Sequence, residues 1–347
     1  MRIFVVASDI WEGDAVGNHC LSFVRNARRL GFESQAFAQS FARENNQVRP
    51  IEDLFAEMTA EDTLLVGYSI YDPLLEKLLS LPGRKIGYFY GVTSPELLRE
   101  FEPITADKCA RSMEQYPLLA QFDLLLASTE TIAQFLAPYL DIRQVKILPP
   151  ISPDMPIFSQ RPFAKKPPHQ DLKLLVLGRV VPHKRVEDAL DVLAKIRAEG
   201  CDASLTLVGP TFNEVYLTYL KKRVEDLGLQ AKVKFTGKID EQTLLNYLND
   251  SDALLSFSRH EGFCVPVLEA MFLGLPVFVR DGTAAGEVGA GAAVIFKDTA
   301  EAVYEILKMH ASEELRQSMI EAGKRRAQSV LAMASDAVLS RIFRGES

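Results

Sequence analysis

The chain has 347 residues, of which 48% are hydrophobic and 24% charged, and its formal net charge is −7. This length exceeds what one compact core usually organises and predicts two domains, while the ordinary composition predicts folding without disulfides or structural metals. The acidic balance disfavours nucleic acid as a partner, because the phosphate backbone is itself negative.

The cysteines and the N-terminus indicate the cellular compartment. Cys20, Cys109, Cys201 and Cys264 have no metal-binding spacing. Four cysteines could form two disulfides, but the first apolar run leads directly into an acidic loop and is read as a strand, not a secretory signal. We therefore expect free thiols and a cytoplasmic location. No segment approaches the roughly 20 apolar residues that span a bilayer.

The first half alternates strand patterns with helical patterns, which predicts a parallel sheet built from βαβ units. Residues 3–7 form a continuous apolar run, as in a strand that is buried on both faces. A loop at 8–18 is rich in Asp, Glu and Gly, and a helix is predicted from about 19 to 30, before Gly31. Further strands are predicted at 34–38, 63–68, 85–90, 124–128 and 145–148.

Residues 149–171 contain seven prolines and cannot form a helix interior or a central strand. We interpret them as the linker between two domains, because a new alternation of strands and helices begins directly afterwards. The alternative is a long surface loop within one domain, although such loops are uncommon in compact domains. The predicted units are residues 1–155, residues 156–330 and a C-terminal helix at 331–347 that packs back on the first domain.

The second half repeats the strand and helix alternation without internal repeats. Its predicted strands are 173–177, 204–208, 233–235, 253–257, 276–280 and 294–296. Its predicted helices are 186–199, 216–227, 242–249 and 265–273, followed by C-terminal helices between about 299 and 344.

The segment SRHEGFCVPVLEAM at 258–271 is the most informative one. A predicted strand ends there and a helix begins, so its unpaired backbone N–H groups favour a phosphate or a sugar oxygen. Gly262 permits close approach of a ligand to the backbone. Glu261 and Glu269 are about two helical turns apart, so both carboxylates could face one elongated polyhydroxylated ligand. The alternative is an amphipathic helix with two solvated glutamates.

The segment GRVVPHK at 178–184 also lies between a strand and a helix, where phosphates bind in open α/β sheets. Arg179 supplies a planar guanidinium and Lys184 a compact ammonium, and the two together suit a diphosphate. The alternative is two solvated loop cations. His183 is expected to be an exposed loop residue.

Two further strand ends contribute weaker signals. Gly209 and the Gly237-Lys238 pair each follow a predicted strand. Small residues there would let a base or a ribose lie against the backbone, but glycine after a strand is common.

Taken in order along residues 173–296, these elements resemble glycosyltransferase family 4. The matching motifs are GRVVPHK, LTLVGP, VKFTGKI, ALLSFSRHEGF, the Glu-x7-Glu pair and GLPVF. The resemblance implies an α/β protein of the GT-B fold, with two doubly wound Rossmann-like domains that face each other across a cleft. It also implies that the N-terminal domain binds the acceptor and the C-terminal domain the nucleotide-sugar donor.

The resemblance implies a role for each candidate residue of the second half. Arg179 and Lys184 hold the donor diphosphate, Glu261 contacts the transferred sugar, and Glu269 binds the ribose hydroxyls. Arg179, Lys184 and Glu261 form the catalytic group. The remaining donor-binding residues contribute backbone contacts to sugar and phosphate or border the base: Gly209, Lys238, Gly262, Phe263, Cys264 and Val265.

The N-terminal half resembles the family more loosely. Its loop GDAVGN stands where family members place a glycine loop against donor phosphate and acceptor, which implies donor contact by Gly17 and acceptor contact by Asp14 and Asn18. Tyr90 stands where the family pattern has a histidine near the reacting sugar. A phenol cannot replace imidazole as an acid–base group near neutral pH, but Tyr90 can donate a hydrogen bond to a sugar hydroxyl. The alternative for Tyr90 is packing in the core.

The resemblance implies a retaining transfer from a UDP- or GDP-sugar to a hydroxyl, without a cofactor or metal. The expected setting is bacterial polysaccharide or glycoconjugate biosynthesis, with a sugar or lipid-linked sugar as acceptor and a transient membrane contact. Two alternatives stay open: a GT-B epimerase or phosphorylase, and a non-catalytic nucleotide-sugar-binding subunit. A dinucleotide-dependent dehydrogenase is disfavoured, because no G-x-G-x-x-G follows the first strand.

Overall fold

Parallel strands form two separate sheets in the computed structural model, which describes residues 1–11, 13–42, 44, 46–151, 155–160 and 171–346. Each sheet organises one unit of the chain. The first unit comprises Met1–Pro95, Ile104–Pro156 and Val330–Ser347, and the second comprises Glu96–Pro103 and Ile157–Ser329. Of the predicted linker, residues 152–154 and 161–170 lie outside the described residues.

The first unit contains a seven-stranded sheet with the order β3-β2-β1-β4-β5-β6-β7. Neighbouring strands are parallel, so their carboxyl ends meet at one edge. Because β1 lies between β2 and β4, the strand order reverses direction beside it, which is where open α/β sheets bind ligands. The strands are β1 (Arg2–Ile10), β2 (Glu33–Phe41), β3 (Val48–Pro50), β4 (Thr63–Tyr68), β5 (Arg84–Phe89), β6 (Leu124–Ala127) and β7 (Val145–Ile147).

Helices connect these strands and cover the sheet. Helix α1 has a buried face that packs on β1 and β2, and its last residue pairs with the C-terminal helix through Arg29 Nη2 and Asp336 Oδ1 at 2.6 Å. The helices of this part are α1 (Ala15–Arg29), α2 (Ile51–Glu57), α3 (Leu75–Leu79), α4 (Pro103–Ser112) and α5 (Glu130–Ala133).

The second unit contains a six-stranded parallel sheet with the order β10-β9-β8-β11-β12-β13. Here the order reverses between β8 and β11, whose Leu174 and Ala253 lie opposite each other. The strands are β8 (Leu172–Leu177), β9 (Ala203–Val208), β10 (Val233–Gly237), β11 (Ala253–Ser256), β12 (Val277–Arg280) and β13 (Val294–Phe296).

The core of the second unit is a continuous apolar cluster from its strands and from the inner faces of its helices, including Leu190, Leu205 and Phe278. The helices are α6 (Val186–Ala198), α7 (Glu214–Asp226), α8 (Glu241–Asp250), α9 (Val265–Leu273), α10 (Ala284–Val288), α11 (Thr299–Ala311) and α12 (Glu313–Ala332). The last helix, α13 (Asp336–Arg344), follows them in the chain and belongs to the first unit.

The short segment Glu96–Pro103 belongs to the second unit, although the sequence placed it in the N-terminal domain. Its Phe101 ring packs against Tyr216 of α7, with 5.1 Å between ring centroids. The Phe101 carbonyl also accepts a hydrogen bond from Asn213 Nδ2 at 2.9 Å. Local pattern could not reveal this assignment, because it depends on an aromatic contact between residues that are distant in sequence.

The predicted secondary structure is largely confirmed, with one consequential error. Strand β4, helix α9 and strand β13 have the predicted bounds. Helix α1 begins at Ala15 and not at 19, because the Asp14 side chain caps it by accepting hydrogen bonds from Val16 N and Gly17 N. The predicted loop thus contains the first helical turn. Strand β3 and helix α10 were not predicted.

Within the described residues, none of the helices is both long enough and apolar enough to cross a membrane.

Candidate functional site

A buried ion pair joins the loops that follow β8 and β11. Lys184 Nζ lies 2.5 Å from Glu261 Oε1, although 77 residues separate the two in sequence. The side chains are 18% and 8% exposed, respectively, so both charges are largely withdrawn from water. Because β8 and β11 flank the reversal of strand order, the pair lies at the position where such sheets bind ligands.

Each partner keeps the other charged. Burial alone would raise the pKa of Glu261, but the charge and hydrogen bond of Lys184 and the Ser258 hydroxyl bring it below the usual value. Burial alone would lower the pKa of Lys184, and the Glu261 carboxylate raises it instead. Ser258 Oγ donates to Glu261 Oε1 at 2.6 Å. Both recorded hydrogen bonds therefore reach Oε1, which leaves acceptor capacity on Oε2.

Arg179 lies close enough to this pair to act on its electrostatics. Its positive charge lowers the pKa of both His183 and Lys184. Arg179 is exposed, whereas Lys184 is partly buried. The loop after β8 thus presents one accessible guanidinium beside one enclosed ammonium, a combination suited to a diphosphate.

His183 is not the exposed loop residue that the sequence predicted. It is partly buried, and its carbonyl oxygen accepts a hydrogen bond from Arg259 N at 2.8 Å. Burial, reinforced by the charge of Lys184, lowers the pKa of His183 to about 3, so the imidazole is neutral at physiological pH. The Arg259 hydrogen bond ties the loop after β8 to the loop after β11.

Glycines let the strand ends approach each other beside the lysine. A Cβ on Gly209 would lie 2.0 Å from the carbonyl oxygen of Gly178, so no larger residue fits there without a shift. A Cβ on Gly178 would meet Lys184 Nζ at 3.7 Å, which places the ammonium over the end of β8. Gly209 N donates to the Gly237 carbonyl at 3.2 Å, and the exposed Lys238 follows. Gly209 and Lys238 therefore border the carboxyl edge of the sheet.

Helix α9 begins next to Glu261 in an unusual conformation. Cys264, at the cap position, has φ +73°, in the left-handed region that L residues rarely adopt. Within the described residues no side chain caps this helix, and Pro266 in the first turn has no N–H group. Gly262 and Phe263 precede Cys264, and Val265 is the first residue of the helix. Burial raises the pKa of the Cys264 thiol to about 12, so it is uncharged.

A second left-handed residue follows Lys184. Arg185 has φ +53°, and its guanidinium pairs with Asp188 Oδ1 at 2.8 Å and with Glu187 Oε1 at 2.7 Å. Asp188 also pairs with Arg280 Nη1 at 3.0 Å. Tyr216 closes the group by donating its hydroxyl to Glu187. This network fixes the backbone that carries Lys184 and connects it to the end of β12.

Glu269 lies within α9, eight residues after Glu261. Burial, reinforced by the negative charge of Glu241 at the start of α8, raises the pKa of Glu269 to about 7. The structure brings Arg179, Lys184 and Glu261 together, whereas the charge that acts on Glu269 is that of Glu241, the first residue of α8. Glu269 is therefore poised to change charge near neutral pH.

In the first unit, two predicted acceptor-side residues belong to the start of α1. Besides capping the helix, Asp14 accepts a hydrogen bond at its carbonyl from Asn18 N at 2.8 Å. Asn18 Oδ1 accepts one from Gly13 N at 3.0 Å. A Cβ on Gly17 would lie 2.2 Å from the Trp11 carbonyl oxygen, so packing inside the unit requires glycine there. These contacts account for the residue types without a ligand.

Tyr90, the third acceptor-side residue, is buried at the end of β5 with its hydroxyl 2.8 Å from His19 Nδ1. Sequence reasoning did not identify His19, although it is a histidine in the first buried turns of α1. Burial lowers the pKa of His19 to about 3 and raises that of Tyr90, so both are neutral. The negative charge of Asp14 adds to the rise in the pKa of Tyr90. Within the described residues, no group of three or more His, Cys, Asp or Glu side chains is arranged to hold a metal ion.

Comparison with known proteins gives the family of the second half. Residues 158–326 match the family described as "Glycosyl transferases group 1". This segment belongs to the glycosyl transferases group 1. The matched region contains the ion pair, Arg179 and Glu269, whereas Asp14, Gly17, Asn18 and Tyr90 lie outside it.

A curated relative and two solved structures extend this result. Mannosylfructose-phosphate synthase from Agrobacterium fabrum is 32% identical over 30% of this chain and 24% of its own length. Sucrose-phosphate synthase from Thermosynechococcus elongatus has a TM-score of 0.78 at 14% identity, over 99% of both chains. Anabaena HepE in complex with UDP has a TM-score of 0.74 at 14% identity, over 99% of this chain and 100% of that one. These two structural neighbours show that the chain has the GT-B fold of glycosyltransferases.

The ion pair can be tested by a double-mutant cycle. Lys184→Met and Glu261→Gln should each lower the free energy of unfolding by about 3–5 kcal/mol, because each leaves the other charge buried without its partner. The double variant should lose clearly less than the sum of the two. Urea unfolding of the four proteins measures the coupling.

The matched control is the Lys173–Asp250 pair of the same unit, whose atoms are 3.1 Å apart and whose side chains are 30% and 62% exposed. The corresponding cycle there should give a coupling below about 1 kcal/mol. Additive effects of Lys184→Met and Glu261→Gln would contradict the buried pairing.

Proposed function

We propose that the chain is a retaining glycosyltransferase that moves a sugar from a UDP- or GDP-sugar to a hydroxyl acceptor. The observation that carries this proposal is the convergence of Arg179, Lys184 and Glu261 where the strand order of the second sheet reverses. Membership of this unit in the glycosyl transferases group 1 supports it. So does HepE, a protein of the same fold that binds UDP.

Arg179 and Lys184 would bind the donor diphosphate. An ammonium group has three N–H donors, and among the described residues only Glu261 takes one from Lys184. The remaining donors of Lys184 would bind phosphate oxygens, and the exposed guanidinium of Arg179 would add a second positive charge beside them. As the bond to the sugar breaks, negative charge grows on the diphosphate, and these positive charges stabilise it. We therefore propose that the reaction needs no metal ion or other cofactor.

The remaining donor contacts follow from the same geometry. Glu261 Oε2 would accept a hydrogen bond from a sugar hydroxyl, since both recorded bonds reach Oε1. The backbone of Gly262, Phe263, Cys264 and Val265 would contact sugar and phosphate at the start of α9. Glu269 would bind the ribose hydroxyls, while Gly209 and Lys238 would border the base.

The transfer itself would occur on one face of the sugar. The bond between the anomeric carbon and the diphosphate oxygen breaks, and the acceptor oxygen bonds to the same carbon from the same side. The acceptor proton passes to the departing diphosphate oxygen, so no protein nucleophile is required and the configuration is retained. Lys184 and Arg179 hold the diphosphate in place for this proton transfer.

The acceptor would bind the first unit near Asp14, Asn18 and Tyr90, with Gly17 beside the donor phosphate. A sugar or lipid-linked sugar is the proposed acceptor, in cytoplasmic polysaccharide or glycoconjugate synthesis with a transient membrane contact.

One observation favours a second candidate, a non-catalytic nucleotide-sugar-binding subunit: the Tyr90 hydroxyl is already bound to His19 inside the unit. Such a subunit would bind a donor without turnover.

The proposal predicts selective binding of one donor class. Among UDP-glucose, UDP-galactose, GDP-mannose and ADP-glucose, a UDP- or GDP-sugar should raise the melting temperature most, because a ligand that binds only the folded state stabilises it. Arg179→Ala should weaken its binding by about 10- to 100-fold, as expected for loss of a charged hydrogen bond. Calorimetric titration measures this change.

Lys222→Ala is the control, since Lys222 is an exposed cation of α7 in the same unit. It should bind the donor like the wild type. Release of nucleoside diphosphate should require added acceptor, and donor binding without release for any acceptor would favour the non-catalytic subunit. Equal affinity in Arg179→Ala and wild type would rule out the diphosphate site.

Donor affinity should also depend on the charge of Glu269. A ribose hydroxyl donates to the carboxylate but competes with the proton of the acid, and the pKa of Glu269 is about 7. The dissociation constant for UDP-glucose or GDP-mannose should therefore rise about tenfold from pH 8 to pH 6, since the ionised fraction falls by that factor. Glu269→Gln should bind more weakly at pH 8 and show no such pH dependence.

The pH dependence of the free energy of unfolding tests the raised pKa of Glu269 independently of donor binding. A carboxyl whose pKa is raised on folding stabilises the folded state below its unfolded pKa and loses that contribution as pH rises through about 7. Glu269→Gln should thus be more stable than wild type at pH 8, by at most about 3 kcal/mol, and not at pH 5. Reduced stability of this variant at pH 8 would contradict the raised pKa.

A further inference from the structure

Two buried polar atoms have no hydrogen-bond partner in the described part of the chain: Nδ1 of His183 and Oγ1 of Thr283. Folded proteins satisfy nearly all such atoms, because a buried unpaired donor or acceptor loses its hydration without compensation. The two atoms therefore require an explanation, and both belong to the second unit.

His183 lies within the diphosphate-binding group proposed above. It directly precedes Lys184, and the charges of Lys184, Glu261 and Arg179 all act on its imidazole. Its ring centroid is 6.4 Å from that of His260, which precedes Glu261. The unpaired nitrogen is thus enclosed among the residues that surround the ion pair.

Thr283 follows β12, the strand beside β11. It is 8% exposed and occupies the cap position of α10, where a threonine hydroxyl usually accepts a hydrogen bond from the backbone. Here the side chain forms no such bond. The loop that carries Thr283 begins after Arg280, the last residue of β12. Arg280 and Arg185 bind the same carboxylate of Asp188, which links the end of β12 to the loop that carries Lys184.

The chemistry of the two atoms indicates the kind of partner. A neutral imidazole carries one donor and one acceptor nitrogen, and a threonine hydroxyl both donates and accepts. A phosphate oxygen only accepts, and two cations are already placed to bind it. A hydroxyl group on a ligand can donate or accept, so it can pair with either tautomer of His183 and with Thr283.

We infer that His183 and Thr283 are specificity-determining residues that hydrogen-bond hydroxyl groups of the transferred sugar. The inference rests on the proposed function, because it requires a nucleotide sugar at this edge of the sheet. In the absence of the sugar both atoms stay unpaired, and the ligand restores their hydrogen bonds. A site of this kind discriminates strongly against ligands that lack the matching hydroxyls.

The test compares nucleotide sugars with their nucleoside diphosphates. UDP-glucose, UDP-galactose, UDP-N-acetylglucosamine, GDP-mannose and ADP-glucose are titrated alongside UDP, GDP and ADP, and the tightest nucleotide sugar is taken forward. Thr283→Val removes the hydroxyl at constant shape, and Thr283→Ser retains it. His183→Leu removes the polar atom, and His183→Asn keeps a polar atom near the position of Nδ1.

Thr283→Val and His183→Leu should weaken binding of that nucleotide sugar at least about tenfold, while affinity for its nucleoside diphosphate stays within about twofold. Thr283→Ser and His183→Asn should retain most of the difference between the two ligands. Without ligand, Thr283→Val should melt at the wild-type temperature or above, because it removes an unpaired polar atom.

Equal losses for nucleotide sugar and nucleoside diphosphate would assign the two atoms to the ribose or the phosphates and overturn the inference, as would wild-type affinity in both variants. A lower melting temperature of ligand-free Thr283→Val would show a structural role for the hydroxyl and also overturn it. If no nucleotide or nucleotide sugar binds the wild type, the proposed function fails and this inference fails with it. If nucleoside diphosphates bind as proposed and only the sugar-specific loss is missing, the proposed function survives alone.

Discussion

The buried pairing of Lys184 with Glu261 is the interaction on which the second unit's functional edge depends. Two charges that are largely removed from water are stable only while they neutralise each other. The loops after β8 and β11 must therefore keep Lys184 and Glu261 in contact. The pairing also leaves the ammonium with unused donors and one carboxylate oxygen with unused acceptor capacity. Under the proposed function, the ammonium would bind a phosphate oxygen and the neighbouring carboxylate would accept a hydrogen bond from a sugar hydroxyl.

Two residues near the ion pair have energetically unfavourable backbone conformations. Arg185, which follows Lys184, and Cys264, three residues after Glu261, both adopt the left-handed conformation. Such residues cost of order 1 kcal/mol or more and persist where the rest of the structure dictates them, typically at functional sites. In this protein, the ion pairs of the Arg185 side chain with Asp188 and Glu187 hold the Arg185 backbone in its left-handed conformation. The raised pKa of Glu269 is a further unfavourable feature of the same unit.

Sequence patterns predicted the strands, and hence the edge where ligand-binding loops gather, because burial on both faces leaves a continuous apolar run. They also singled out Arg179, Lys184 and Glu261 individually as candidate site residues. The direct contact between Lys184 and Glu261 could not be read from the chain, since it depends on the lateral order of β8 and β11. The sequence predicted an exposed His183 because its local pattern does not reveal the neighbouring loop at Arg259, which encloses it.

Sequence patterns were less informative about the first unit. The GDAVGN segment looked like a ligand loop, but its side chains cap α1 and its Gly17 is required by the backbone of Trp11. His19 went unnoticed because nothing in its local pattern indicates a partner 71 residues away. A signal was available in principle: a histidine on the buried face of an amphipathic helix must pair with something.

The most direct measurement is a crystal structure of the full chain with bound nucleoside diphosphate, using whichever of UDP and GDP binds more tightly. The account predicts phosphate oxygens within hydrogen-bond distance of Lys184 Nζ and the Arg179 guanidinium, with the contact between Lys184 and Glu261 preserved. A diphosphate bound instead in the cavity of the first unit that Arg2, Arg28 and Arg49 line would contradict it.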